Sequence, residues 1–96
     1  MTKGDILDYL KNKYDYMHQN FEIEHIGIFG SYAKESASRS SDIDIFVKMN
    51  PKLSNMISLK EYLENGLQKK IDIIRLRDKM NPFLKKRIDK EGIYAV

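Results

Sequence analysis

Residues 30–47 read GSYAKESASRSSDIDIFV, and this stretch decides the fold class. Its second half alternates acid with apolar side chain before closing on Phe46-Val47, the period-2 pattern of a half-buried strand. Over Ile43–Val47 that places Ile43, Ile45 and Val47 toward a core. Asp42, Asp44 and Phe46 then share the opposite face. The first half begins where an apolar run over Ile23–Phe29 ends, with Ile26 and Ile28 on one face. That run reads as a strand stopping at Gly30, followed by a short helix over Ser31–Lys34 and a polar loop over Ser36–Ser41.

Working outward, Thr2 and Asp5 approximate a capping box, with Ile6, Leu7, Leu10, Tyr14 and Met17 following at helical spacing. This helix is expected to end near His18–Asn20. Downstream, Asn50-Pro51 breaks the chain. A helix then carries Met56, Ile57, Leu59, Leu63 and Leu67, with a cap expected at Ser54 or Ser58 and Gly66 near its end. Ile71–Ile74 reads as a third strand with Ile71 and Ile73 on one face and Asp72 on the other. Asn81-Pro82 opens a last helix through Leu84 and Ile88 that stops at Gly92, and Ile93–Val96 suits a short edge strand. The order α-β-α-β-α-β-α predicts an α/β (α+β) fold, a small mixed sheet with flanking helices, in a single domain over residues 1–96.

The 96 residues suffice for one hydrophobic core. There are no cysteines, so disulfides and thiolate zinc sites are excluded, and His18 and His25 alone build no structural zinc site. No apolar run reaches the roughly 18–20 residues of a membrane span. The charged start MTKGDILDYL is helix-like, not a secretory signal, and the whole fits a reducing cytoplasm. Residues 1–68 carry 8 basic and 10 acidic side chains, whereas residues 69–96 carry 9 and 4. The basic last third suits an anionic partner, although outward-facing Lys and Arg on a solvated helix account for most of these charges. Tyr9, Tyr14, Tyr16 and Tyr62 fall at amphipathic helix positions and are read as packing. His18 and His25 are read as surface residues without catalytic duty, and Met49 and Met56 as core or interface filler.

Asp42 and Asp44 project from the same side of one strand, and two charges about 4 Å apart repel by roughly 4 kcal/mol at an effective dielectric near 20. A divalent cation removes that penalty. Oxygen ligands without nearby His or Cys favour Mg²⁺ or Mn²⁺ over zinc, and Mg²⁺ usually completes its shell with water and substrate phosphates. Gly30-Ser31 supplies the complement: backbone able to approach an anion closely, a helix start and a hydroxyl donor. Neither a Walker P-loop nor an EF-hand pattern is present. Asp72 is the polar exception in its apolar run, and alone it fits equally well a strand-face aspartate paired with Lys69, Lys70 or Arg75. Beside the other two carboxylates it becomes a third ligand and a proton acceptor for an attacking hydroxyl.

These residues resemble the GSxARGxxxxxSDIDLxV signature of the minimal nucleotidyltransferases in the DNA polymerase β-like superfamily. Ile71-Asp72-Ile73 is similar to the strand that carries their third carboxylate, and the likeness extends over nearly the whole chain to KEGIYAV. The resemblance implies the polymerase β-like nucleotidyltransferase fold. It also implies that Gly30, Ser31 and Lys34 bind the triphosphate, and that Asp42, Asp44 and Asp72 are the catalytic and metal residues. Mg²⁺ (two ions, or Mn²⁺) is then the cofactor and ATP the donor. The family's Arg-Gly is Lys34-Glu35 here: lysine keeps the charge but loses the bidentate fork. Glu35 stands where a residue at ease with φ > 0 is usual, so the turn is expected to differ or to bind triphosphate less well.

The chain stops just after its core, so an acceptor site completed by another protein is expected. Stand-alone proteins of this kind resemble the antitoxin of two-component modules whose partner is a helical HEPN ribonuclease toxin. The resemblance implies AMP transfer to a toxin tyrosine and a hetero-oligomer, without membrane or direct nucleic-acid binding. Two other readings stand beside it. One is nucleotidyl transfer to a small hydroxylated substrate such as an aminoglycoside; the other is an antitoxin that acts by occlusion alone.

Overall fold

The computed structural model describes residues 1–96. Helix α1 (Lys3–Phe21) opens on the expected capping box: the Asp5 amide donates to Thr2 Oγ1 at 3.1 Å, and the Thr2 amide to Asp5 Oδ2 at 2.9 Å. It runs past the expected end at His18–Asn20 because Phe21 is buried as its last turn's anchor. Glu22 then closes it in the left-handed conformation at φ 60°. Strand β1 (Ile23–Phe29) leads into a single helical turn, α2 (Gly30–Ala33). Strand β2 spans Ile43–Met49, two residues beyond the expected Val47, because Met49 still pairs with Ile23.

Helix α3 (Leu53–Leu67) departs from expectation at its start, while Gly66 lies near its end as expected. Ser54 and Ser58 lie inside it, and Lys52 holds the cap position without a side-chain cap bond. Its start is tied down instead by Glu22 Oε2, which accepts from Asn55 Nδ2 at 2.8 Å and from Lys52 Nζ at 3.4 Å. At the other end Gln68, not a glycine, takes the left-handed closing position at φ 55°. Gly66 instead makes room for the Tyr9 hydroxyl, which a Cβ there would strike. Strand β3 (Ile71–Arg75) follows. Helix α4 (Pro82–Glu91) is capped as its Asn-Pro predicts: Asn81 Oδ1 accepts from the amides of Phe83 and Leu84 at 2.9 and 3.2 Å. Strand β4 is only Ile93–Tyr94, shorter than the expected Ile93–Val96.

The four strands form one mixed sheet in the order β3-β2-β1-β4. Strand β1 is antiparallel to both neighbours, while β2 and β3 run parallel, as an intervening helix permits. One face carries Ile26, Ile28, Ile43, Ile45, Val47 and Ile71, all fully buried with residues of α1 and α3 in a core cluster of 18. At roughly 1.5–3 kcal/mol for each large aliphatic side chain removed from water, this face carries most of the stability. The opposite face holds a smaller cluster of Phe29, Phe46, Met80 and Ile88 beneath α4. No charged or polar side chain is fully buried. The acidic residues of that second face are therefore left in a cleft.

Candidate functional site

Phe29 pairs with Asp44 across β1 and β2, so the next residue, Gly30, turns away directly beside the Asp44 carboxylate. Gly30 has φ +73°, and a Cβ on it would overlap Asp44 Oδ2. Glycine is required there twice, for its conformation and for its missing side chain. Half-buried Ser31 follows. Its carbonyl accepts from the Ser36 amide at 2.9 Å, folding the loop back over α2.

Asp44 and Asp72 lie opposite each other in the parallel register of β2 and β3 and therefore share a face. Both line a cleft of about 410 Å³ at the β3 edge of the sheet, with Phe29, Lys60, Leu84 and Arg87 among its walls. Asp44 is half-buried and Asp72 exposed. Burial pushes the Asp44 carboxyl above the ordinary aspartate range, the neighbouring Asp72 charge adds to this, and the Arg87 guanidinium opposes it. Asp42 and Glu91 contribute further like-charge repulsion. Asp42 is exposed, one residue before β2, and is not among the cleft's lining residues.

The donor set fits a hard divalent cation: two carboxylates in register and mutually repulsive, with no histidine or cysteine among the lining residues. No three acidic or histidine side chains stand close enough to form a ready-made cage. The three aspartates do not converge on a common point.

Lys34 closes α2 and reaches toward α4. Its Nζ lies 3.5 Å from Glu91 Oε1, on α4. Arg87, one turn earlier on that helix, is 3.8 Å from Glu91 Oε2, which is buried and without a hydrogen bond. Arg87 also lies over the Phe29 ring, 5.6 Å from its centroid. Arg87, Glu91 and Lys60 were absent from the sequence-based site. Only the i,i+4 spacing of Arg87 and Glu91 could have signalled that two of them act together. Glu35 itself adopts the left-handed conformation at φ 60°, the one expected of the family's glycine, and its carboxylate meets Lys3 Nζ at 3.1 Å.

A strand–Gly-Ser turn–strand unit with two carboxylates in register beside the glycine is the arrangement that comparison with known proteins tests most directly. The family described as polymerase beta, nucleotidyltransferase, matches residues 11–95. The chain belongs to that family. Its sheet and flanking helices are therefore the polymerase β-like nucleotidyltransferase fold, and the protein is a nucleotidyltransferase. A Methanocaldococcus jannaschii protein named "Putative protein adenylyltransferase MJ1379" is 34% identical over 98 residues, covering 98% of each chain. Among solved structures, a chain of a toxin–antitoxin complex with AMP-PNP superposes with a TM-score of 0.71 at 27% identity, covering 90% of this nucleotidyltransferase and 72% of that chain. A chain from the complex of a tri-AMPylated Shewanella oneidensis HEPN toxin with its MNT antitoxin has the same fold. Its TM-score is 0.66 at 21% identity, with 94% and 71% covered. No helix of this nucleotidyltransferase is long and apolar enough to cross a membrane.

Proposed function

We propose that this nucleotidyltransferase is the antitoxin of a two-component module and transfers AMP from ATP to a tyrosine hydroxyl of a HEPN toxin. The observation that carries the reading is the pairing of Asp44 with Asp72 in one cleft, hard against the turn at Gly30. In the reaction the acceptor oxygen attacks the α-phosphorus and the bond to the α,β-bridging oxygen breaks. Pyrophosphate leaves, and the hydroxyl proton passes to Asp72, whose exposure leaves it open to an incoming group. Gly30, Ser31 and Lys34 bind phosphate oxygens, Lys34 exchanging its Glu91 partner for the anion. Asp42, Asp44 and Asp72 would hold Mg²⁺ (two ions, or Mn²⁺), whose chemistry there is to neutralise charge on the phosphoryl oxygens. The relative named as a protein adenylyltransferase and the fold likeness to a complex with an AMPylated HEPN toxin support the choice of acceptor.

The test is transfer of label from α-³²P-ATP, in Mg²⁺, to the co-encoded HEPN toxin. The wild-type protein is expected to label a toxin tyrosine, and Asp44→Asn and Asp72→Asn to lose at least 100-fold in rate, in the range of removing a group central to the chemistry. Equal labelling by both variants would remove the site from the reaction. Full neutralisation of the toxin by the doubly substituted protein would replace catalysis with occlusion.

A further inference from the structure

The cleft that holds Asp44 and Asp72 does not end at the carboxylates. A second hollow of about 390 Å³ shares Met56, Ile73, Ile74 and Leu84 with it. The two together form one groove around the outer edge of β3, between the start of α3 and α4. The apolar side chains at this groove are among the most exposed in the molecule. Leu53 lines the second hollow at 72% exposure, and Ile57 lines the first at 52%. Phe83, at 82%, stands four residues before the lining residue Arg87 and so on the same side of α4. Large apolar side chains clustered at a functional cleft mark an interaction site more often than scattered surface residues do.

Positive charge predominates around them, with Asp78 and Asp89 the exposed acids on the loop before α4 and on α4 itself. Arg75 and Arg77 line the second hollow, and Lys79, Lys85 and Lys86 are exposed on the adjoining loop and helix. None of these five takes part in an ion pair; the cations that do are Lys3, Lys34, Lys48, Lys52 and Arg87.

We infer that this groove is the docking surface for the acceptor protein, a partner that seats apolar side chains on Leu53, Ile57 and Phe83 within an acidic rim and so brings its hydroxyl to Asp72. The inference rests on the reading of the site as one that transfers AMP to a protein. An acceptor reaching Asp72 must cross the walls of the cleft, and those walls are where unpaired cations and uncovered apolar groups coincide. A second copy of this chain fits poorly, because a two-fold contact through the patch would set its cations against their own copies. Nucleic acid fits poorly as well. Phosphate backbone leaves Leu53 and Phe83 without an apolar counterpart.

The test compares wild type with Leu53→Ser/Phe83→Ser and, separately, with Arg75→Glu/Arg77→Glu. Three quantities are read: Mg-ATP binding, binding of the co-encoded HEPN toxin by calorimetry, and label transfer as a function of toxin concentration. Both variants are expected to bind Mg-ATP within twofold of wild type. The apolar pair should weaken toxin binding 10- to 100-fold, the range of losing interface anchors. It should raise KM for toxin while the rate at saturating toxin is kept. The charge reversal should slow association and abolish its dependence on salt. Unchanged toxin binding by both variants, with wild type labelling the toxin normally, overturns the docking surface alone. Absence of label with wild type overturns the transfer reading beneath it. A wild-type dimer in sedimentation that either variant dissociates would assign the groove to a second copy. An RNA mobility shift lost in either variant, with toxin binding intact, would assign it to nucleic acid.

Discussion

On one side of β1, β2 and β3, Ile26, Ile28, Ile43, Ile45, Val47 and Ile71 are sealed beneath α1 and α3. On the other side, Asp44 and Asp72 stand beside Phe29 and Phe46 with α4 as their cover. Both faces come from the same strands, and successive residues alternate between them. The sealed face is apolar throughout and can be packed for stability. The open face carries carboxylates that repel each other and a buried, unpartnered Glu91 oxygen, features that lower stability where they stand. The difference shows how a chain of 96 residues tolerates a repulsive site: stability and chemistry are assigned to odd and even positions of the same strands.

The comparison breaks most visibly on the sealed face. Leu63→Ala removes a fully buried side chain from that core and is expected to cost about 2–5 kcal/mol in denaturant unfolding, a large part of the stability of so small a protein. A cost below about 1 kcal/mol would mean that this face is not the sealed one. A smaller effect of opposite sign belongs to the loop beside the open face. Glu35→Gly should relieve the left-handed strain at φ 60° and raise stability by roughly 0.5–1 kcal/mol after the greater freedom of the unfolded chain is counted. A loss would show that the Lys3 contact outweighs the strain.

The smallest effect is the pH dependence that Asp44 contributes. Its folded pKa lies above its unfolded value of about 3.9, so the folded state binds the proton more tightly. Without metal, stability from this group falls as pH rises from about 4 through the raised value. Thermal melts of wild type and Asp44→Asn in a chelator should therefore diverge over that window, with the variant's curve flatter. Saturating Mg²⁺ should erase the divergence for wild type. Parallel curves in the chelator would remove the repulsion from the picture.

Much of this arrangement was legible beforehand. Alternation over Asp42–Val47 and Ile71–Ile74 put the aspartates and isoleucines on opposite faces, and Thr2-Asp5 and Asn81-Pro82 marked the starts of α1 and α4. Hydrogen-bond chemistry that is local in sequence leaves such marks. The features that were missed depend on distant partners. Glu22 secures the start of α3 from the end of α1, which no serine inside α3 could reveal. Alternation alone does not tell a parallel neighbour from an antiparallel one, so the pairing of Asp44 with Asp72 needed the sheet order. Lys34 meets Glu91 across 57 positions of sequence, and Arg87 enters the cleft from a helix whose charges look like ordinary solvated surface. Glu35 shows the converse: the residue type was visible, but its acceptance of a left-handed backbone was not.

The pairing of Asp44 with Asp72 also bears on how the chain reaches its final form. A slip of one residue between β2 and β3 would turn Asp72 inward beneath α3 and bring Ile71 and Ile73 out to water. A carboxylate forced into that interior without a partner is among the costliest errors a sheet can make. Misaligned sheets are thus penalised, and the parallel pair, joined through α3, has few competing alignments in which to be trapped. The acids of the cleft act as a spelling check on the assembly of the strands that hold them.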